Sequence, residues 1–182
     1  DEATKIVHRA IDLGINFFDT SIAYKDSELR IGKGIAGYRD KVVLATKGGG
    51  RDKATTKQHI EWSLQRLDVN YIDIWQFHGI NSIQHLESVL RPDGPMKAAQ
   101  EALLAGKIRH IGFSSHNLDT ALKAVSSGYF ETVQFPLNFV SNEAIDKLVP
   151  LAKQCDVGYI AMKPFAGGRI RKANLAIKYL LQ

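Results

Sequence analysis

Six apolar runs recur along the chain at intervals too long for tight turns: INFFD (15–19), VVLATK (42–47), YIDIWQFH (71–78), KIRHIGFS (107–114), TVQFP (132–136) and VGYIAMK (157–163). Each carries a polar residue at or near its carboxyl end, namely Asp19, Lys47, His78, Ser114, Gln134 and Lys163. The stretches between them, such as 55–67, 97–106, 118–128 and 142–154, show the three-to-four-residue apolar spacing of helices packed by one face. The opening segment 2–14 reads as another helix, closed by Gly14 at C′, and 173–182 as a last one.

Strand followed by helix throughout predicts a parallel sheet with right-handed crossovers, because parallel neighbours cannot be joined by a hairpin. Nearly continuous apolar strands predict that both faces are covered. An open doubly wound sheet and a closed barrel both satisfy this pattern. The polar strand ends favour the barrel, since an open sheet gathers its ligand at one switch point whereas a barrel aims every carboxyl end at a shared mouth. The expectation is a TIM-type (β/α)8 barrel forming a single domain over 1–182, with about six of its eight strands present and the first and last missing, for the chain opens and stops inside helices.

Composition narrows the function. The single cysteine, Cys155, builds neither a disulfide framework nor a Cys-rich metal centre, which suits a reducing compartment. No apolar stretch reaches the roughly 20 residues that span a bilayer, and the first ten residues lack a signal-peptide core, so a cytoplasmic protein without a membrane partner is expected. The net charge of +5 is dispersed among acids, giving no focused footprint for nucleic acid. The six histidines, His8, His59, His78, His85, His110 and His116, form no H-E-x-x-H or related metal spacing.

GKGIAG (32–37) matches the dinucleotide fingerprint G-x-G-x-x-G, yet it closes a helical stretch and precedes a strand, the reverse of the order the fingerprint requires. A more specific constellation is FFDTSIAY (17–24) with ATK (45–47) and QFH (76–78). GINFFDTSIAYKDSELRIGKGI resembles the signature of the aldo-keto reductase family, in which Asp and Tyr stand five residues apart, and YIDIWQFH and GKIRHIGFSS resemble two further family signatures. The resemblance covers nearly the whole chain. It implies a catalytic tetrad of Asp19, Tyr24, Lys47 and His78, NADP(H) as cofactor, and an aldehyde or ketone as substrate. It also implies that Ser114, Ser115 and Gln134 sit beside the nicotinamide carboxamide. Ser115 stands where the family commonly has asparagine, and Met162 where many relatives stack a tyrosine. IAMKPFAGG is similar to a branch whose members often carry an added iron–sulfur ferredoxin-like segment.

The chemistry follows from the residues too. A free tyrosine has a pKa of about 10, and a neighbouring cation such as Lys47 is expected to lower it. Asp19 would pair with the Lys47 ammonium, and His78 would orient a substrate oxygen while Tyr24 exchanges its proton. A hydroxyl and a glutamine offer the donors and acceptors an amide needs. Lys163 reads equally as a contact to cofactor phosphates and as a solvated charge, His116 as a solvated loop histidine, and Asp73 as structural because its parity turns it toward the helices. Two other functions stay open on the residues alone: a Schiff-base lyase or aldolase using Lys47, and a cofactor-binding regulatory domain without turnover.

Overall fold

The computed structural model describes residues 1–181. Its elements, in chain order, are α1 (Glu2–Asp12), β1 (Phe17–Asp19), α2 (Ser27–Ile35), β2 (Val43–Gly48), α3 (Lys53–Leu67), β3 (Ile72–Phe77), α4 (Ile83–Leu90), α5 (Pro95–Leu104), β4 (Ile108–Ser114), α6 (Leu118–Val125), β5 (Thr132–Pro136), α7 (Leu148–Gln154), β6 (Gly158–Met162) and α8 (Ala173–Leu180). The chain divides into two compact units, Asp1–His78 with Glu87–Ile111, and Gly79–Leu86 with the residues from Gly112 onward.

In the first unit β1, β2 and β3 pair in parallel, with Asp19 opposite Ala45 and Lys47 opposite Gln76. Leu44, Trp75, Phe77, Ile60 and Leu67 are buried between strands and helices. Helix α1 begins where Asp1 accepts a hydrogen bond from Thr4 N, and the chain leaves it through Gly14 at φ +83°, the left-handed conformation expected of a C′ glycine. Asp52 caps α3 in the same way through Thr55 N, 2.8 Å away.

The glycines of 32–37 serve packing. A Cβ on Gly32 would stand 2.4 Å from the Leu67 carbonyl oxygen, and one on Gly34 would stand 2.7 Å from Val7 Cβ. Bare backbone at these positions therefore lets α2 lie directly on α3 and α1. Glu28, fully buried on α2, ties the same elements together: it accepts from Thr46 Oγ1 at 2.7 Å and from Arg66 Nε at 3.0 Å. Asp73 is structural, as its parity predicts. It accepts from Arg39 and from Leu44 N, and the Tyr71 ring beside it has the guanidinium of Arg39 at 4.0 Å and that of Arg109 at 3.7 Å.

In the second unit the end of β4 pairs with β5, and β5 with β6, again in parallel, with Ser114 opposite Gln134 and Pro136 opposite Met162. Phe113, Phe135, Val133 and Leu148 form its core, and the Phe113 and Phe130 rings lie 4.7 Å apart. Helix α7 begins at Leu148 rather than at the expected 142. Pro150 explains this: a proline is accommodated in a helix's first turn but would cost a hydrogen bond and a clash farther in. Helix α4 is an element the apolar spacing did not single out.

Candidate active site

Lys47 lies on β2 with its side chain 3% exposed, while Asp19, at the end of the paired strand, keeps about a quarter of its side chain in solvent. The ammonium donates to Asp19 Oδ2 at 2.5 Å and to the Thr20 carbonyl at 2.7 Å. Burial pulls the lysine below its ordinary pKa, and the Asp19 charge and hydrogen bond oppose that pull. Asp19 is held from its other side by Gln76, whose Nε2 donates to Oδ1 at 3.1 Å. A desolvated cation is thus retained because its counterion and a backbone carbonyl take up two of its donors.

Tyr24 sits in the loop between β1 and α2, 47% exposed. Its backbone N–H donates to Ser21 O, and Lys25 after it adopts φ +51°. That left-handed residue is secured by Arg66, whose guanidinium donates to the Lys25 carbonyl while pairing with Glu28. The Tyr24 ring stands edge-on to His78, with centroids 5.7 Å apart, and the Lys47 ammonium is 5.6 Å from the Tyr24 centroid. The structure therefore brings Asp19, Tyr24, Lys47 and His78 together within the first unit.

The expected electrostatics differ in one respect. Lys47 directs hydrogen bonds to Asp19 and Thr20, and the Tyr24 phenol is raised above its ordinary value, first by burial and then by the Asp19 charge. The reason is that burial disfavours the phenolate while the cation's field is offset by its own counterion. A phenol so placed keeps its proton at neutral pH, which suits a donor.

Within the second unit, Ser114 and Gln134 are buried register partners at the carboxyl ends of β4 and β5. Ser114 Oγ accepts from Gly79 N at 2.9 Å. Side by side, a hydroxyl and a primary amide form a donor and acceptor set that fits a carboxamide such as that of nicotinamide. Ser115 is fully buried, and its hydroxyl lies within reach of Asn81 Oδ1 and the Asn117 carbonyl. Asn81 Oδ1 also accepts from His116 N at 2.7 Å, and burial, then the Lys163 charge, lowers the His116 imidazole below its usual pKa. Met162 ends β6 half-buried, and Lys163 follows it at φ +58°. The Lys163 carbonyl accepts from the buried Asn138, whose Oδ1 in turn accepts from Val140 N and Ser141 N.

Sequence reasoning missed Gln76, Ser21 and Asn138. Gln76 shares parity with Ile74 and His78, so two-residue alternation could have found it. Ser21 contacts His78 across 57 positions of sequence, and no local signal announces that. Asn138 clamps two loops far apart in sequence, which is equally silent.

The sequence model described as the Aldo/keto reductase family matches residues 1–180. A 6-dehydroglucose reductase of Novosphingobium aromaticivorans is 29% identical over 200 aligned positions, covering 96% of this chain and 62% of its own. An aldo/keto reductase from Klebsiella pneumoniae, solved in complex with NADP and acetate, superposes with a TM-score of 0.79 at 28% identity, over 98% of this chain and 66% of that one. The holo form of an aldo-keto reductase from Bacillus halodurans superposes with a TM-score of 0.81 at 26% identity, over 91% of this chain and 58% of that one. The chain thus spans roughly three fifths of the length of these relatives.

Proposed function

Since the chain belongs to the aldo/keto reductase family, we propose that it serves NADP(H)-dependent reduction of aldehydes or ketones. When bound, NADP(H) supplies the hydride for the carbonyl carbon or takes it back from the alcohol. The observation that most supports this reading is the buried Lys47 paired with Asp19, with the Tyr24 and His78 rings beside them.

Each residue then has a physical task. Tyr24, a phenol that holds its proton near neutrality, gives that proton to the carbonyl oxygen as negative charge builds there. His78 helps place the same oxygen. Lys47 and Asp19 form a fixed ion pair beside the Tyr24 ring that holds the floor of the site in place, and Asp19 keeps the lysine's charge from being lost to desolvation. Gln76 restrains Asp19. Ser114 and Gln134 hold the nicotinamide carboxamide, with Ser115, Met162 and Lys163 completing the cofactor's surroundings. Schiff-base chemistry on Lys47 would need a neutral amine, and a carboxylate at 2.5 Å favours the ammonium.

The whole of 1–182 is read as one barrel domain, and the lone cysteine supports placing it in the reducing cytoplasm. The test is consumption of NADPH by the purified protein with a panel of aldehydes, ketones and oxidised sugars, the last because one relative is a 6-dehydroglucose reductase. Turnover that depends on Tyr24 is expected. A protein that neither binds NADPH nor consumes it with any carbonyl would overturn the reading.

A further inference from the structure

Ser21 is fully buried two residues beyond Asp19, and its hydroxyl oxygen meets three partners. The Lys47 carbonyl oxygen lies 3.0 Å away, His78 Nδ1 3.0 Å away, and Ala23 N, a donor, 3.2 Å away. A hydroxyl has one proton and two lone pairs. Two oxygens in buried contact at 3.0 Å need a proton between them, and a carbonyl has none to give, so the Ser21 proton goes to Lys47 O. Ala23 N–H occupies one lone pair. What remains for His78 is the second lone pair, which can only accept.

We infer that Ser21 is a positioning residue that fixes a proton on Nδ1 of His78. All three bonds of the Ser21 hydroxyl are then satisfied with correct polarity, whereas the alternative, with Ser21 donating to Nδ1, leaves the two oxygens facing each other unshielded. Neutral His78 consequently carries its lone pair on Nε2. Resting on the reductase reading, the consequence is that neutral His78 accepts from the hydroxyl of an alcohol, and donates to a carbonyl oxygen only as the doubly protonated imidazolium. Tyr24 is left as the neutral donor for reduction.

The test is long-range proton–nitrogen correlation NMR on the whole protein, labelled with nitrogen-15 at histidine and held at a pH where histidines are neutral. His78 is assigned by the signals missing from His78→Gln. The expected result is an excess of the Nδ1–H form at His78 of about tenfold, the ratio set by one hydrogen bond of ordinary strength. In Ser21→Ala the excess falls at least to parity, and Ser21→Thr, which keeps the hydroxyl, restores it. A wild-type His78 protonated on Nε2 overturns the inference, as does an Nδ1–H excess that survives in a folded Ser21→Ala. The wild-type spectrum decides even if the alanine variant fails to fold. The readout needs neither cofactor nor turnover, so an Nδ1–H His78 in a protein inert toward carbonyls would sink the reductase reading and keep this one.

Discussion

The Lys47 ammonium and the Asp19 carboxylate lie 2.5 Å apart, with the cation almost entirely out of solvent and the anion partly in it. Such asymmetry makes the lysine the member whose charge is at risk. Its pKa in the folded protein is lowered below the ordinary 10.5, so between those two values the unfolded chain binds more protons than the folded one. Stability then rises with pH across that window and is flat below it. Urea unfolding from neutral to alkaline pH should show wild type gaining on Lys47→Met as the ordinary lysine value is approached. A difference that shrinks over that range would contradict the assignment.

Tyr24→Phe removes the proton donor but little packing, because the ring stays and its edge still faces His78. Turnover should fall by about 10²- to 10⁴-fold, the usual worth of a positioned acid. NADPH affinity, read by fluorescence titration, should hardly change. Unaltered turnover would remove Tyr24 from the chemistry.

Gln76→Leu deletes the bond to Asp19 Oδ1 without emptying the site. Hydrogen bonds to charged groups are worth about 1.5–3 kcal/mol, and the buried Gln76 Oε1, which has no partner among the described residues, already offsets part of that. A loss of about 1 kcal/mol in urea unfolding is expected, with a larger proportional fall in kcat than in stability, since Asp19 would lose the group that restrains it.

Gly48 follows Lys47, and a Cβ there would stand 2.2 Å from Trp75 Cη2 and 2.5 Å from Cζ2. The indole is fully buried and cannot swing aside cheaply. Gly48→Ala should cost about 1–3 kcal/mol or more by overpacking, visible as a lowered Tm. An alanine variant as stable as wild type would mean that Trp75 has another accommodating rotamer.

The strands were legible because their apolar runs are continuous, and TVQFP coincides with β5 to the residue. Asp19, Tyr24, Lys47 and His78 were singled out by the resemblance of FFDTSIAY, ATK and QFH to a family signature, and the structure brings these four side chains together. Less legible was the environment of each. The sequence reading expected Lys47 to depress Tyr24, whereas burial of the phenol, and after it the Asp19 charge, raises it, and the depth of burial is not written in residue types. Helix α7 starts later than its apolar spacing suggests, because Pro150 imposes a backbone limit that the spacing does not register.

Residue order alone determined that this chain alternates parallel strands with helices and that an acid, a phenol, an amine and an imidazole follow particular strands, because periodicity and strand-end chemistry are local properties. Only the tertiary structure decided that Gln76 bonds Asp19, that Gly32 and Gly34 sit at helix contacts, and that the Ser21 hydroxyl meets Nδ1 of His78. These are relations between atoms separated by tens of residues, and a hydrogen bond's direction depends on all the partners that converge on it in space.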